Sequence, residues 1–527
     1  MIPLEQHEAE MAKLRDEISA LEAKYEWLSQ KYLLKVQKVF GRSREQVDGQ
    51  AVIEGLFNEA EVEAETSKPD PQLEEVTEPV NKTAHKYKGQ KADKLEGLPV
   101  VRVDHELPED ERSCTKCGAP LPELAPVISR RIEVIPARIN VIENVRHVYA
   151  GCKCDEEPSI LNAPMPEPAI PHSIATESTI ANVIVQKYQF GLPLNRQEEQ
   201  WKMLDLRISR QTMANWVILA SELWLAPIYD RLHELLVRRD IIMADETGLQ
   251  VLREKDRPAK AKSFMWLYRS GRDGPPIVLF DYQTTRASKH PEKFLDGFNG
   301  YIITDAYGGY NILKSVVRCS CWSHARREFV NALKSMPEKS RGKPCDADIG
   351  LAYCDKLFGI ERKYHDSTAK QRFDARLLES KPVLDEFEEW LKYMKPRVST
   401  QSHLGKAVRY CINQWGTLCN FLKDGRLTID NNASERSLRL FVNGRKSWMF
   451  STSPKGADAS AISYSIVLTA RENGLKPFEY LVHLLKGLPN SNIKDQTVLD
   501  SFLPWAESIP DNCKVALPVA SMQAAHG

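Results

Sequence analysis

The chain has 527 residues, 42% hydrophobic and 27% charged, which describes a globular protein of about three or four structural units. Its 72 basic and 72 acidic residues cancel, so the overall charge gives no sign of a nucleic-acid partner, and such a surface must come from local clusters. No apolar run reaches the ~18 residues of a membrane span, and the start lacks the features of a signal peptide, so we expect a cytoplasmic protein without membrane contact. Eleven cysteines, an odd number, do not indicate a disulfide framework.

Residues 1–40 carry apolar side chains in a seven-residue repeat, flanked by Glu and Lys. One row of the repeat consists of Leu4, Met11, Ile18, Tyr25 and Tyr32, and the interleaved row consists of Leu14, Leu21 and Leu28. A repeat of this length predicts a short coiled coil, through which the protein would form a homo-oligomer. The alternative is one amphipathic helix that packs on its own chain.

Residues 41–100 contain little apolar surface that could offset the entropy of ordering the chain, so we predict a flexible linker there. An acidic stretch with prolines spans residues 59–80, and five lysines follow between residues 82 and 94. These lysines would either contact phosphate or remain solvated.

Residues 101–160 contain two closely spaced cysteine pairs. Cys114 and Cys117 are separated by two residues, as in a zinc knuckle whose backbone wraps the metal. Cys152 and Cys154, with one residue between them, offer two further thiolates. The four cysteines predict a structural Zn²⁺ site with tetrahedral coordination, and the alternative is a set of reduced cysteines without metal.

Residues 161–236 are predicted to be helical and to include a helix-turn-helix. Ser209 is suited to cap the second helix of that motif. Arg207, Arg210 and Gln211 place polar side chains around the start of the same helix, where a recognition helix contacts DNA. A helical hairpin without DNA contact would show the same pattern.

From about residue 238 the pattern changes from helices to strands. Three strands, an amphipathic helix and a fourth strand are predicted in the order 241–252, 264–271, 276–283, 286–297 and 301–304. This order is that of a ribonuclease-H-like fold, so we predict an α/β catalytic domain over residues 237–450.

Helical segments interrupt and follow this domain. A helical insertion is predicted at about residues 330–426, where Phe387, Leu391 and Leu418 have the spacing of core residues. Residues 451–510 are predicted to be a C-terminal helical element, within which residues 462–485 form an amphipathic helix that packs on the catalytic domain, and residues 511–527 form a tail.

Three acids in the domain are candidates for metal ligands. Asp245 interrupts the first strand and Asp305 ends the fourth, and these strands are neighbours in the predicted topology. Carboxylates this close repel each other unless a divalent cation bridges them, and Mg²⁺ or Mn²⁺ prefers such oxygen ligands. Glu435 is the best third carboxylate, because residues 430–432 can cap a helix and place Glu435 in its early turns. Each acid alone would more often be a solvated surface charge.

Basic residues near these acids are candidates for contact with DNA phosphate. They are Arg326, Arg327, Arg436, Arg439, Arg445 and Lys446. Trp448 adds a ring that could stack on a splayed DNA end. Cys321 and His324, separated by two residues, could bind a metal or orient a DNA strand; alternatively, Trp322 packs in the core and His324 forms a local hydrogen bond.

Several segments together resemble the insertion sequence 66 family of bacterial transposases. Towards the C-terminus these are ADETGLQVL, YIITDAYGGYN, CWSHARREF, DNNASERSLR, NGRKSWMF and the LPW at residues 503–505. Upstream, FGRSRE, CTKCG, GLPLNRQEE and ISRQTMANWV are similar to segments of that family. The resemblance covers nearly the whole chain, and the motifs occur in the family's order.

The resemblance implies a DNA transposase of the acidic-triad (DDE) class, with Asp245, Asp305 and Glu435 at the positions of its triad. Such an enzyme binds the terminal inverted repeats of its element and uses two Mg²⁺ or Mn²⁺ ions to cut a phosphodiester bond. It then joins the freed 3′-hydroxyl to target DNA. Members often work with accessory proteins encoded by the same element, and we expect association with the bacterial nucleoid.

Two other functions are compatible with the sequence. A non-catalytic DNA-binding regulator would use the zinc module and the helix-turn-helix alone, and would bind element ends without cutting them. A nuclease of the same fold would cut DNA without joining ends to a target.

Overall fold

The computed structural model describes residues 138–150, 160–336 and 345–515. The predicted coiled coil, the linker and the four cysteines of the zinc module lie outside the described residues. At the end of the zinc module, two short strands pair in antiparallel fashion, β1 (Val148–Ala150) and β2 (Ile160–Asn162).

Helices follow this strand pair, as predicted for the region up to residue 236. They are α1 (Glu177–Tyr188), α2 (Leu194–Lys202), α3 (Arg210–Ala220) and α4 (Ala226–Leu236), with a π-helical turn at Ser221–Leu225. Ser209 caps α3 as predicted, because its hydroxyl accepts the N–H of Thr212. Trp201 of α2 and Trp216 of α3 pack with ring centres 6.3 Å apart, which links the two helices.

A five-stranded sheet forms the next part of the described chain. Its strands are β3 (Ile241–Gln250), β4 (Lys262–Ser270), β5 (Val278–Gln283), β6 (Tyr301–Thr304) and β7 (Val317–Ser320). The order is β5–β4–β3–β6–β7, in which β3, β4 and β5 are antiparallel neighbours, while β6 and β7 run parallel to β3. The prediction of a mixed α/β domain is confirmed.

The crossover from β5 to β6 contains α5 (Lys289–Phe294). This helix is shorter than the predicted 286–297, because the residues on either side of it form turns and bends.

The helices between β7 and residue 426 include the predicted insertion, whose expected start at about residue 330 falls within the first of them. They are α6 (Trp322–Lys334), α7 (Asp346–Lys363), α8 (Ala369–Ala375), α9 (Lys381–Met394) and α10 (His403–Leu418). Phe387, Leu391 and Leu418 are buried, which confirms their predicted role in the core. They belong to one apolar cluster with Ile241 of β3, so the insertion and the sheet share a core.

The remaining helices are α11 (Asn432–Trp448), α12 (Pro454–Glu472), α13 (Pro477–Gly487) and α14 (Gln496–Asp500). The prediction of an amphipathic helix is wrong for α12, in which every residue from Ser463 to Ala470 is buried. The reason is that α12 packs against β5 on one side and against other helices around it. None of the described helices is both long enough and apolar enough to cross a membrane.

Hydroxyl groups of α12 cover the outer edge of β5. Ser465 Oγ accepts the N–H of Phe280 at 2.8 Å, and Thr469 Oγ1 accepts the N–H of Val278 at 3.0 Å. Thr469 also donates to the carbonyl oxygen of Val278 at 3.0 Å. The helix thus satisfies both backbone groups of Val278 and the N–H of Phe280, and Tyr229 of α4 donates to the carbonyl of Phe280, so this part of the edge is closed to a further strand.

We predict that Thr469→Val lowers the free energy of unfolding by about 1–3 kcal/mol, because the buried N–H of Val278 loses its acceptor while the side-chain volume hardly changes. Thr469→Ser keeps the hydroxyl and is the matched control, with a smaller loss expected. Urea unfolding followed by circular dichroism measures both variants. Equal stability of wild type and Thr469→Val would contradict the role assigned to these hydroxyls.

Candidate active site

Two aspartates come together where β3 pairs with β6. Met243 lies opposite Ile303 in the parallel ladder, and Asp245 follows two residues later on β3. Asp305 directly follows the last residue of β6 and therefore comes beside Asp245. This is the juxtaposition predicted from the order of the strands.

The charge of Asp245 is disfavoured by its surroundings. Its pKa is raised to about 8, mainly by burial and then by the carboxylates of Glu246, Asp305 and Glu435. The N–H of Glu246 donates to Asp245 Oδ1 at 2.8 Å and opposes this shift in part. Acids this close together favour a proton or a metal cation among them.

Asn431 fixes the start of α11, the helix that carries Glu435 in its first turn as predicted. Its buried side-chain amide donates to the carbonyl oxygen of Ala244 at 2.9 Å, and its N–H donates to Cys321 Sγ at 3.2 Å. Because Ala244 directly precedes Asp245 on β3, Asn431 brings the helix of Glu435 to the strand that carries Asp245.

A buried arginine of the insertion holds the segment that leads into α11. Arg376 donates to the carbonyl oxygens of Phe421, Asp424 and Leu427 at 2.9, 2.8 and 2.7 Å. It also pairs with Glu361 of α7 at 2.7 Å, which leaves its side chain 1% exposed. The insertion therefore sets the path by which the chain returns to the sheet.

Glu435 has two basic neighbours, neither within hydrogen-bonding distance. His324 Nε2 lies 4.0 Å from Glu435 Oε1, and Arg327 Nη2 lies 4.0 Å from Oε2. Glu435 Oε1 and His324 Nδ1 are buried and make no hydrogen bond. A clustered set of carboxylates with a buried oxygen left unpaired fits a divalent cation that prefers oxygen ligands.

Cys321 and His324 lie against the same glutamate. One ligand atom from each of Cys321, His324 and Glu435 lies within 4.8 Å of the other two, which is close enough to hold one ion. Trp322 is fully buried and donates from Nε1 to the carbonyl oxygen of Leu418 at 2.9 Å, so the prediction that it packs in the core is confirmed. The predicted local hydrogen bond of His324 is not found at Nδ1.

The basic residues predicted to contact DNA near the acids differ in their contacts and in their exposure. Arg445 Nη1 lies 3.4 Å from Thr247 Oγ1, which is two residues beyond Asp245 on β3. Arg326 instead pairs with Asp355 of α7 at 2.6 Å. Of the predicted basic residues on α11, Arg436 and Lys446 are exposed and Arg439 is half-buried.

Arg207, Arg210 and Gln211 are exposed around the capped start of α3, as a DNA-contacting surface requires. The helix-turn-helix stays a prediction, because α2 and α3 are separated by the seven residues 203–209 instead of a short turn.

Trp448 is not placed for the predicted stacking on DNA. Its ring is half-buried and packs on Phe441, with the ring centres 5.5 Å apart. The exposed aromatic side chain of this segment is Phe450, which is 42% exposed.

A fourth acid, Glu246, was not singled out from the sequence. Alternation along β3 turns it to the face opposite Asp245, where its side chain is 1% exposed. The Tyr310 hydroxyl and Arg286 Nε each donate to it at 2.7 Å. Burial raises the pKa of Glu246, and these donors oppose the shift. The sequence signal that could have identified Glu246 is a second charged residue inside an otherwise apolar strand. A buried carboxylate requires a partner, so such a residue marks a site where one should be sought.

Three family models match the chain. Residues 172–459 match the transposase IS66 family, residues 465–505 its C-terminal element, and residues 111–155 the zinc-finger binding domain of transposase IS66. All three describe parts of a transposase, a class of protein that acts on DNA. The chain belongs to the IS66 family of transposases, which confirms the resemblance seen in its motifs.

Two proteins of Sinorhizobium fredii (strain NBRC 101917 / NGR234) are similar to this chain. Uncharacterized protein y4hP is 29% identical over 416 residues, which cover 75% of this chain and 74% of that protein. Uncharacterized protein y4jD is 29% identical over 422 residues, covering 77% of this chain and 80% of that protein. The similarity therefore extends over most of each protein.

We predict that Asn431→Ala loosens the start of α11, because the buried carbonyl of Ala244 loses its donor. The amides of residues 432–436 should exchange with deuterium about tenfold faster, which corresponds to ~1.4 kcal/mol of local stability. Asn432→Ala is the matched control, since the Asn432 amide contacts Asp430 at 2.8 Å instead of β3. Unchanged exchange in Asn431→Ala would remove Asn431 from this role.

Proposed function

We propose that the chain is a DDE-type transposase, which binds the terminal inverted repeats of its element, cuts the DNA there and joins the freed 3′-hydroxyl to target DNA. The observation that carries this proposal is the convergence of Asp245, Asp305 and Glu435 from a strand, a strand end and a helix. The strand order, with a helical crossover before β6, supports a ribonuclease-H-like catalytic domain. Membership of the IS66 family agrees with both.

Asp245, Asp305 and Glu435 would hold two Mg²⁺ or Mn²⁺ ions, which suit carboxylate ligands. Such a pair of ions supplies an activated water or 3′-hydroxyl and stabilises the leaving oxygen. The protein holds Asp245 within a paired strand, and the N–H of Tyr307 donates to Asp305 Oδ1 at 2.8 Å. These contacts restrict the directions in which the two aspartates point.

DNA would be bound by basic residues on three helices, α6, α11 and α3. Arg327 and Arg445 lie at the acid cluster, and exposed residues of α11 extend this basic surface along the helix. The start of α3 would read DNA through Arg207, Arg210 and Gln211. Arg326 is the least suited of the predicted contacts, since it already pairs with Asp355.

We also propose that Cys114, Cys117, Cys152 and Cys154 hold a structural Zn²⁺, which the zinc-finger match over residues 111–155 supports. A homo-oligomer formed through the heptads of residues 1–40 would bring two element ends together, with accessory proteins of the same element as further partners.

Zinc analysis of the purified full-length protein tests the thiolate site. We expect about one Zn²⁺ per chain in wild type and loss of most of it in Cys117→Ser, because a structural site needs four ligands. Cys345→Ser, which changes a cysteine of the insertion, should keep its zinc. Equal zinc content in wild type and Cys117→Ser would contradict the site.

An in vitro cleavage and joining assay on DNA with element ends tests the triad. Asp245→Asn, Asp305→Asn and Glu435→Gln should each reduce both steps by roughly 10³-fold or more, as loss of one member of a catalytic set does, with DNA binding retained. Asp281→Asn, which changes an acid of β5 outside the cluster, is the control and should remain active.

Each outcome of this assay separates the candidate functions. Undiminished cleavage in any of the three variants would remove that residue from the triad. Wild-type protein that binds element ends but never cuts them in Mg²⁺ would indicate a non-catalytic regulator. Cleavage without joining would indicate a nuclease that lacks strand transfer.

A further inference from the structure

Glu246 is buried and forms an ion pair with Arg286, whose side chain is 42% exposed, on the far side of β3 from Asp245. Arg286 donates to Glu246 Oε1 from Nε at 2.7 Å and also from Nη2. The hydroxyl of Tyr310 donates to the other oxygen of Glu246 at 2.7 Å. Both oxygens of Glu246 are therefore occupied, and its side chain is 1% exposed.

The same arginine points towards Asp305 without reaching it. Arg286 Nη2 lies 4.0 Å from Asp305 Oδ2, which is too long for a hydrogen bond. The guanidinium stacks on the ring of Tyr307, with its central carbon 3.8 Å from the ring centre, and the Tyr307 hydroxyl donates to the backbone carbonyl of Arg286. Glu246 and Tyr307 thus hold the guanidinium at this distance.

If Arg286 were released from Glu246, the carboxylate of Asp305 would be close enough to bind it. Moving about 1 Å would let Arg286 donate to Asp305 Oδ2, since charge-assisted hydrogen bonds form at roughly 2.7–2.9 Å. A guanidinium bound there would occupy the oxygen that Asp305 offers to a cation. The other oxygen, Oδ1, already accepts the N–H of Tyr307.

We propose that Glu246 is a positioning residue that retains Arg286 and so keeps Asp305 Oδ2 free to bind a divalent cation. This inference rests on the proposed function, in which Asp305 is a metal ligand. Glu246 itself contacts neither the substrate nor the ions in this scheme. Its effect passes through Arg286.

Mn²⁺ binding to the full-length protein without DNA tests the proposal, with free Mn²⁺ measured by electron paramagnetic resonance. Glu246→Gln removes the charge that holds Arg286, and Glu246→Asp keeps the charge on a side chain too short to reach it. Both should raise the half-saturating Mn²⁺ concentration about tenfold, equal to ~1.4 kcal/mol. If Glu246 acted only through its negative charge, Mn²⁺ binding would weaken in Glu246→Gln, whereas Glu246→Asp would bind Mn²⁺ like wild type.

A second substitution separates competition by Arg286 from damage to the fold. Glu246→Gln combined with Arg286→Gln removes the competing cation, so the half-saturating Mn²⁺ concentration should return to within about threefold of wild type. A merely structural role of Glu246 predicts that the double variant is at least as impaired as the single one.

Glu254 provides a matched control within the same domain. It is also a buried glutamate, 3% exposed, that accepts hydrogen bonds from an arginine and a tyrosine, Arg257 and Tyr282. Glu254→Gln should lower the melting temperature as Glu246→Gln does, because in each variant a buried carboxylate loses its ion pair with a partly exposed arginine. Its Mn²⁺ affinity should stay that of wild type.

The outcomes distinguish this proposal from the proposed function. Normal Mn²⁺ affinity in Glu246→Asp, no recovery in the double variant, or an equal shift in Glu254→Gln would each overturn the role of Glu246. Asp245→Asn is measured alongside, and weakened Mn²⁺ binding there supports the carboxylate centre. If Asp245→Asn binds Mn²⁺ like wild type, the metal centre of the proposed function is contradicted, whatever the Glu246 variants show.

Discussion

Parallel pairing of β3 with β6 is the constraint on which the candidate site depends. Both strands are apolar on both faces, with Ile241 and Ile303 in one buried cluster and Ile242 and Ile302 in the other. Hydrophobic alternation alone therefore does not set the register, and a slip by one residue would turn the aspartates to different faces. Gly300 supplies a local restraint at the start of β6, since a Cβ there would lie 2.3 Å from the carbonyl oxygen of Asp240.

The position of the third carboxylate, that of Glu435, depends on a different part of the chain, the helical insertion. Glu435 follows a long helical insertion, and a flexible excursion of that length would leave its position undefined. The insertion instead shares a core with the sheet, and Arg376 binds three carbonyl groups of the returning segment. Asn431 then joins the first turn of α11 to the strand of Asp245. We infer that the insertion serves the site as a support for Glu435.

Local patterns predicted the features that depend on local chemistry. Apolar runs with turn residues between them gave the strands and their order, from which the meeting of Asp245 and Asp305 followed. The Asp-Asn-Asn segment predicted a helix start, and Glu435 lies in the first turn of that helix. In each case, the information lies within a few residues of the feature or in the order of elements along the chain.

Features that depend on distant partners were not predictable in this way. The Ser and Thr residues of α12 look like a polar face, but Ser465 and Thr469 bind the edge of β5 and are buried. Trp448 follows a basic segment and looks exposed, but Phe441 of its own helix covers it. Two strands separate Glu246 from its partner Arg286 along the chain, and three separate it from Tyr310, so nothing in the pattern near residue 246 reveals these partners.

The charges around the acids follow a common arrangement. Arg286 lies 4.0 Å from Asp305, and Arg327 lies 4.0 Å from Glu435, while neither donates a hydrogen bond to its acid. A cation at that distance still offsets part of the repulsion among the acids, and water screens this effect because both arginine side chains are nearly half exposed. Burial and the charge of Arg327 lower the pKa of His324, so its imidazole adds little positive charge at neutral pH. The arginines thus offset repulsion within a cluster of acids without donating hydrogen bonds to Asp305 or Glu435, which is the electrostatic condition that the proposed metal centre requires.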